Sequence, residues 1–334
     1  MEVFRLTPDA PRAARADSSY VECAPRGEKG VNSEMIQVRQ VEKEFSGFRV
    51  LDRVNLHVPG GTVYGLIGPN GAGKTTLIRH ITGIYQADAG EISIDGMPVY
   101  ENAAAKEKFF YIPDDLFYFR QATTLEMMRF YKGIYRNFDE KLFFRIRDAF
   151  PTINPREGIH RLSKGMQKQV AFWLAISCRP EVLILDEPVD GLDPVMRRQI
   201  WNLIMSDVTE HGTTVLVSSH NLRELEDVCS HVGIMHKGKI ILEHSLSDLQ
   251  GSVRKIQIAY REQMPPLPQG LNVLHMSNMG RVHTLIVRGD LARNKELLIG
   301  QTRPILLDVL PLTLEEIFIY ELGGEDYEVR DILF

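Results

Sequence analysis

The sequence predicts an α/β fold: a buried sheet feeding a phosphate-binding loop, an antiparallel β subdomain beside it, a helical insertion, and a small C-terminal α+β appendage. Three observations predict it. Gly68-Pro69-Asn70-Gly71-Ala72-Gly73-Lys74-Thr75-Thr76 matches G-x-x-x-x-G-K-[ST] at each fixed position. It lies between a short apolar run at 62–67 and a helical pattern of Leu77, Ile78, Ile81 and Ile84. Val182-Leu183-Ile184-Leu185 is continuously apolar, as a strand buried on both faces must be, and the run 213–218 reads as another buried strand. Beyond about Ser245 the character changes to short strands and helices without a chemical motif.

Length and composition narrow the classes. A chain of 334 residues suggests about two domains, and 25% charged with 44% hydrophobic residues is ordinary for a globular protein. The net charge of −5 argues against wholesale nucleic-acid binding. No run of about 18 apolar residues reads as a membrane span, and the N-terminus lacks the apolar core of a signal peptide. Cys23, Cys178 and Cys229 are isolated and suit a reducing cytoplasm. Cys178 and Cys229 fall in predicted helices and read as small core residues.

In chain order, residues 1–34 are polar, rich in Arg, Ala and Pro, and aperiodic, which reads as disorder. They are either an extension or a stretch upstream of a true start at Met35. Residues 36–45 begin with strand alternation, and Val54, Leu56 and Val58 alternate again before Pro59-Gly60-Gly61. Phe45 between them is either a base-stacking aromatic or a core phenylalanine. A glycine-rich turn between strand and helix leaves backbone N–H groups aimed into one concavity, and the helix dipole adds positive potential. Lys74 would reach the outer phosphates of a polyphosphate there, and the Thr75 hydroxyl would ligate Mg²⁺. Residues 91–96 read as strand and turn, and 109–112 as a buried strand ending at Pro113-Asp114-Asp115.

From Thr124 to about Phe150 the pattern is helical. Leu125, Met128, Tyr131 and Ile134 share one face; Leu142, Phe143, Ile146 and Ala149 share another. The aromatics Phe117, Tyr118, Phe119, Phe130 and Tyr131 are either a docking surface or the insertion's own core. Leu162-Ser163-Lys164-Gly165-Met166-Gln167 opens the next helix, with Ser163 as N-cap. Its N-terminus is either a second anion site or an ordinary cap. The strand 182–185 delivers Asp186 and Glu187 at its carboxyl end, where ligands bind in open α/β sheets. Asp186 fits a Mg²⁺–water ligand and Glu187 a base that orients attacking water. Asp190-Gly191-Leu192-Asp193-Pro194 reads as a turn before a helix from about Val195. The strand 213–218 ends at Ser219-His220, placing His220 to touch a terminal phosphate. His236-Lys237-Gly238-Lys239 reads as a hairpin turn, and no histidine has metal-like spacing. In the appendage, 253–260 and two runs around Asn278-Met279-Gly280 read as strands, and 291–299 and 314–322 as helices.

These residues resemble the nucleotide-binding subunit of an ATP-binding-cassette (ABC) transporter. Residues 68–76 resemble Walker A, 183–187 Walker B with its catalytic glutamate, and 162–167 the family signature. Asp190, Gly191, Leu192 and Asp193 resemble the D-loop, His220 the switch histidine, and Phe45 the adenine-stacking aromatic. The motifs occur in family order. The resemblance implies a P-loop NTPase (ABC ATPase) core over 35–250 with the insertion at about 115–165, and an appendage over 251–334. It implies ATP and Mg²⁺, catalytic roles for Lys74, Glu187 and His220, and a head-to-tail dimer burying two ATP. Ser163 and Gly165 of one subunit would complete the γ-phosphate cradle of the other. The second subunit is a copy or a related ATPase, and a membrane permease is the further partner. Leu162-Ser163-Lys164-Gly165-Met166, with Met166 where many members have Gln, resembles the exporter branch whose permease is a separate polypeptide. So does Pro311-Leu312-Thr313-Leu314-Glu315-Glu316-Ile317-Phe318. Such a protein would sit on the cytoplasmic face of the membrane through its permease.

One position departs from the family pattern. The loop after residues 109–112 usually presents Gln to Mg²⁺, and here Asp114 follows Pro113. A carboxylate is also a hard ligand, but shorter and charged; the alternative is that Asp114 caps the turn and Asp115 or water takes the role. Two other functions compete: a soluble ABC-type assembly scaffold without a permease, and a nucleic-acid-acting ATPase. The latter predicts tandem cassettes or a basic linker, and the sequence has neither.

Overall fold

The computed structural model describes residues 34–246, 253–313, 316 and 320. The disorder expected for 1–34, apart from its last residue, and the helix expected over 314–322, apart from Glu316 and Tyr320, lie outside the described residues.

Strands β1 (Glu34–Phe45) and β2 (Phe48–Pro59) form a hairpin. Ser46 and Gly47 both have positive φ, as a two-residue turn matched to strand twist requires. With β4 (Ala89–Ile94) and β5 (Met97–Pro98) they make an antiparallel sheet of order β2-β1-β4-β5. Its inward residues Ile36, Val38, Leu56, Val58 and Ile94 are fully buried with Leu66, Leu77, Ile78 and Ile184, so this sheet shares a core with the next.

The central sheet contains β3 (Val63–Ile67), β6 (Phe109–Ile112), β7 (Val182–Asp186), β8 (Thr214–Ser219), β9 (His231–His236) and β10 (Lys239–Ser245). Its order is β10-β9-β3-β8-β7-β6, and only the β9–β10 pairing is antiparallel. Every residue of β3, β7 and β8 is buried, which explains the apolar residues at the centre of each segment. The register sets Ser218 opposite both Leu66 and Asp186 and Ser219 opposite Ile67, so three strands end together. Their carboxyl ends carry the phosphate-loop sequence, the Asp186-Glu187 pair and His220 respectively.

Helix α1 (Lys74–Ile81) follows β3, and α2 (Ala103–Lys106) precedes β6. The insertion holds α3 (Thr124–Ile134), started by a Thr123–Glu126 capping box, and α4 (Glu140–Ile146), capped by Asp139. The expected helical run to Phe150 is therefore interrupted. Tyr135 adopts an extended backbone, Asp139 opens a new helix, and Ala149 lies in a 3-10 turn rather than on the face of α4. The shared face of α3 also shifts: Thr124, Met127 and Met128 are buried while Ile134 is exposed. Helix α5 (Lys164–Ser177) and α6 (Pro194–His211) complete the layer over the sheet. Cys178 closes α5, but Cys229 lies in a turn after Leu225 rather than in the expected helix; both thiols are buried.

The appendage is a four-stranded antiparallel sheet of order β12-β13-β11-β14 with one helix. Its elements are β11 (Val253–Ala259), β12 (Asn272–Met279), β13 (Val282–Arg288), α7 (Leu291–Thr302) and β14 (Leu306–Leu310). Alternation along β13 divides it: Leu285 and Val287 pack with Leu298 of α7, while Ile286 joins Val253 and Leu312 in the core of the central sheet.

Candidate nucleotide site

The loop 68–76 is held tightly at one end and open at the other. A Cβ on Gly68 would lie 2.2 Å from the Met235 carbonyl oxygen, so strand β9 leaves no room for a side chain. Gly71 and Gly73 take φ of +81° and +109°, conformations that favour glycine. Gly73 precedes α1 without a side-chain cap, leaving the helix's first N–H groups to face the loop. The buried Lys74 ammonium donates to the carbonyls of Gly68 (2.7 Å) and Pro69 (3.2 Å) and lies 3.3 Å from Glu187 Oε1.

Asp186 is 1% exposed. Its Oδ1 accepts from Ser218 Oγ at 2.6 Å and Thr75 Oγ1 at 3.2 Å. Burial pushes its carboxyl above the ordinary carboxylate range, against those two hydrogen bonds, and the charges of Glu187 and Asp114 add to the rise. Glu187 has φ +46°; its N–H donates to Ser218 Oγ, and its Oε2 is 2.9 Å from His220 Nδ1. Two carboxylates thus meet a hydroxyl and an ammonium: Asp186 accepts from Thr75, and Glu187 lies against Lys74. A hard divalent cation fits such a donor set, because it would relieve the buried Asp186 charge. Among the described residues no group of three or more His, Cys, Asp or Glu has the geometry of a self-sufficient metal cage.

The remaining expected residues distribute as follows. Phe45 is 40% exposed at the tip of the β1–β2 hairpin, with the Lys43 ammonium 5.3 Å from its centroid and Tyr85 edge-on. It is therefore not a core phenylalanine. Asn70, Ala72 and Thr76 keep their places in the loop and first turn of α1. Ser163 caps α5 by accepting from Met166 N, and Gln167 closes the turn onto the Leu162 carbonyl. Lys164 is exposed, and Gly165 packs near Leu192. Asp193 caps α6, Gly191 takes φ +70°, and Leu192 anchors the Asp190–Asp193 turn in the core. Within the described residues no hydrogen bond or ion pair joins 162–167 to 68–76. Asp114 lies 3.6 Å from Lys168, and its charge is felt at Asp186 and Tyr111. The insertion's aromatics divide between the two expectations: Tyr118 and Tyr131 pack inward, while Phe117 (80%), Phe119 (48%) and Phe130 (43%) are exposed in an edge-to-face row.

Sequence reasoning missed three contributors: Ser218, which holds both Asp186 and the Glu187 N–H; Lys168; and the Arg197–Glu224 pair, which ties α6 to the loop after His220. Two hydroxyls ending an apolar strand, Ser218-Ser219, were the available signal for the first. A cleft of about 1090 Å³ is lined by Arg136, Phe144, Arg179, Glu181 and Thr213 at the amino ends of β7 and β8. It is on the wrong side of the sheet for this chemistry.

Comparison with known proteins adds to this geometry. A family model described as ABC transporter matches residues 51–190. The ABC transporter ATP-binding protein YtrB of Bacillus subtilis is 30% identical over 292 residues, covering 87% of this chain and 99% of that protein. This chain belongs to the ABC transporter ATP-binding proteins. Bacitracin transport ATP-binding protein BcrA of Enterococcus faecalis is 29% identical, over 66% of this chain and 72% of its own. Among solved structures, an ATP-binding subunit of an ABC transporter aligns with TM-score 0.60 and 28% identity, covering 65% of this chain and 92% of that one. A dimeric bacterial ABC transporter cassette, MJ0796, shares the fold with TM-score 0.57 at 22% identity, covering 64% of this chain and 99% of its own. As a member of this family the chain binds ATP and is an ATP hydrolase. Among the described residues no helix is long and apolar enough to cross a membrane.

Proposed function

We propose that the chain is the ATPase subunit of a transporter whose permease is a separate polypeptide, that it works on the cytoplasmic face of the membrane, and that the direction is export. The observation that carries the ATPase reading is the convergence of Lys74, Glu187 and His220 on one another, beside Thr75 and Asp186, at the aligned carboxyl ends of β3, β7 and β8. In this reading phosphate oxygens replace the Gly68 and Pro69 carbonyls as acceptors for Lys74. The loop N–H groups of residues 70–76 hold the phosphates, and Phe45 stacks on the base. Thr75, Asp186 and Asp114 would hold Mg²⁺, which when bound would neutralise phosphate charge and act as a Lewis acid. Glu187 orients and deprotonates water, and His220 fixes the carboxylate while facing the terminal phosphate.

The signature residues 162–167 and the turn 190–193 point to a partner subunit, because among the described residues the signature makes no hydrogen bond or ion pair with this chain's own loop. Two subunits closing head to tail would bring each Ser163 and Gly165 to the other's ATP; a cassette of the same fold is dimeric. Whether the partner is a copy or a sister ATPase is decided by reconstitution from the single chain. The exposed Phe117–Phe119–Phe130 row supports a permease contact on the insertion. Export rests on the wording of residues 162–166 and 311–318. We place the cassette at 35–250 and the appendage at 251–334.

The test is Glu187→Gln. It should keep ATP binding and lose about 10²–10⁴-fold in hydrolysis, the range of a general base, with trapped ATP holding two subunits together. Turnover at the wild-type rate would refute the assignment.

A further inference from the structure

Lys168 follows the Ser163 cap in the first turns of α5, and its side chain is only 12% exposed. An ammonium that far out of water must be satisfied. Its Nζ donates to the Glu187 carbonyl at 3.1 Å and the Asp190 carbonyl at 3.0 Å, and lies 3.6 Å from Asp114 Oδ1. One cation therefore touches three segments: the loop after β6, the loop after β7, and the helix opened by the signature.

The contact with Glu187 bears on the reaction. Glu187 has a left-handed backbone without being glycine, so its surroundings must hold it there. The peptide before it is fixed by Ser218 Oγ on the Glu187 N–H. The peptide after it is fixed by Lys168 on the Glu187 carbonyl. These two anchors straddle the Cα and set the direction in which the carboxylate leaves it, toward Lys74 and His220.

We propose that Lys168 is a positioning residue for ATP hydrolysis: its ammonium fixes the Glu187–Asp190 turn and, by pairing with Asp114, links that turn to the loop leading into the helical insertion. The pairing also offsets the charge that Asp114 adds beside Asp186 and Glu187, which accounts for a carboxylate being tolerated in that loop. The proposal rests on Glu187 acting on the attacking water.

Lys168→Met keeps the length and apolar stem and removes the donors. ATP binding measured in EDTA with a fluorescent ATP analogue should stay within about twofold of wild type, because Lys74 and the loop are intact. kcat should fall about ten- to hundredfold, the value of hydrogen bonds from a charged group, with KM for ATP unchanged. In nucleotide-free, metal-free protein, amide exchange over residues 189–192 should rise about tenfold or more while the rest of α5 stays protected. Lys168→Arg should restore that protection. Should Lys168→Met fail to fold, Lys168→Gln, which keeps a donor but loses the reach, is read in the same way. Wild-type protection at 189–192, or loosening spread over the whole of α5, would overturn the proposal. If Glu187→Gln itself hydrolysed ATP normally, the parent reading would fail whatever the exchange data. If Glu187→Gln is inactive and Lys168→Met turns over at the wild-type rate, only this inference fails.

Discussion

Replacing Asp186 by asparagine should stabilise the metal-free protein at neutral pH while abolishing its response to Mg²⁺. The carboxylate is 1% exposed, and burial raises its pKa above the ordinary 3.8, with Glu187 and Asp114 adding to the rise. For an acid with a raised folded pKa, the folded state holds the proton more tightly than the unfolded chain. Below pH 3.8 both states are protonated and this group costs nothing. As pH climbs above 3.8 the unfolded carboxyl gives up its proton first, and stability is lost until the folded carboxyl ionises too. The Asp186→Asn protein would escape that loss, because the new amide oxygen can still accept from Ser218 and Thr75. Every tenfold difference in proton affinity between the folded and unfolded carboxyl is worth about 1.4 kcal/mol, or roughly 2–4 °C in melting temperature for a chain of this class. The assay is thermal denaturation in EDTA, wild type against Asp186→Asn, from pH 4 to pH 8. The gap between them should be smallest at pH 4 and widen toward neutrality. Other carboxylates such as Asp52 and Asp88 are shifted downward by lysine partners and push overall stability the other way; taking the difference between variants removes them. ATP in EDTA should raise the melting temperature of both proteins, since Lys74 and the loop are intact in each; adding Mg²⁺ should raise the wild-type value further and leave the variant's unchanged. A gap that is constant with pH, or an asparagine variant less stable than wild type at pH 7, would refute the reasoning.

Other substitutions probe neighbouring parts of the site. Gly68→Ala forces a Cβ to within 2.2 Å of the Met235 carbonyl; it should lower stability by several kcal/mol as overpacking against backbone and abolish nucleotide binding. Gly71→Ala, with open space around it, should cost only about 1–2 kcal/mol of backbone strain, as denaturant titrations would show. Asp114→Ala should raise the Mg²⁺ concentration needed for half-maximal ATPase and Asp114→Gln should be tolerated. A shifted curve for Asp115→Ala instead would move the role along by one residue. Phe119→Ser with Phe130→Ser should leave ATPase of the isolated subunit intact but weaken capture by its permease; undiminished capture counts against the insertion as the contact. Cys178 and Cys229, whose thiol pKa values are pushed up by burial, should react with a maleimide only after unfolding.

The parts of the site that the sequence discloses are those whose physical cause is local. A glycine is required at Gly73 by its own φ, Ser163 caps its own helix three residues on, and Asp186 and Glu187 follow directly from a strand too apolar to face water. The helical insertion departs from expectation where a local rule has a local competitor: the apolar spacing runs on, but Asp139 restarts the helix and moves Ala149 off its face. Cys229 falls outside a helix: only residues 222–224 form a 3-10 turn, whose Glu224 pairs with Arg197 of α6. What no spacing can disclose is the strand order. Residues 67, 186 and 219 become neighbours only because β8 inserts between β3 and β7 in this register, a choice made by the packing of whole elements. Lys168 belongs to that class. Nothing marks it in the sequence, since a lysine on a helix is ordinarily a solvated charge. It gains meaning only when α5 brings it against two loops that end different strands. The motif residues therefore identify the reaction, whereas the residues that set its geometry are fixed by topology and can be found only in the folded chain.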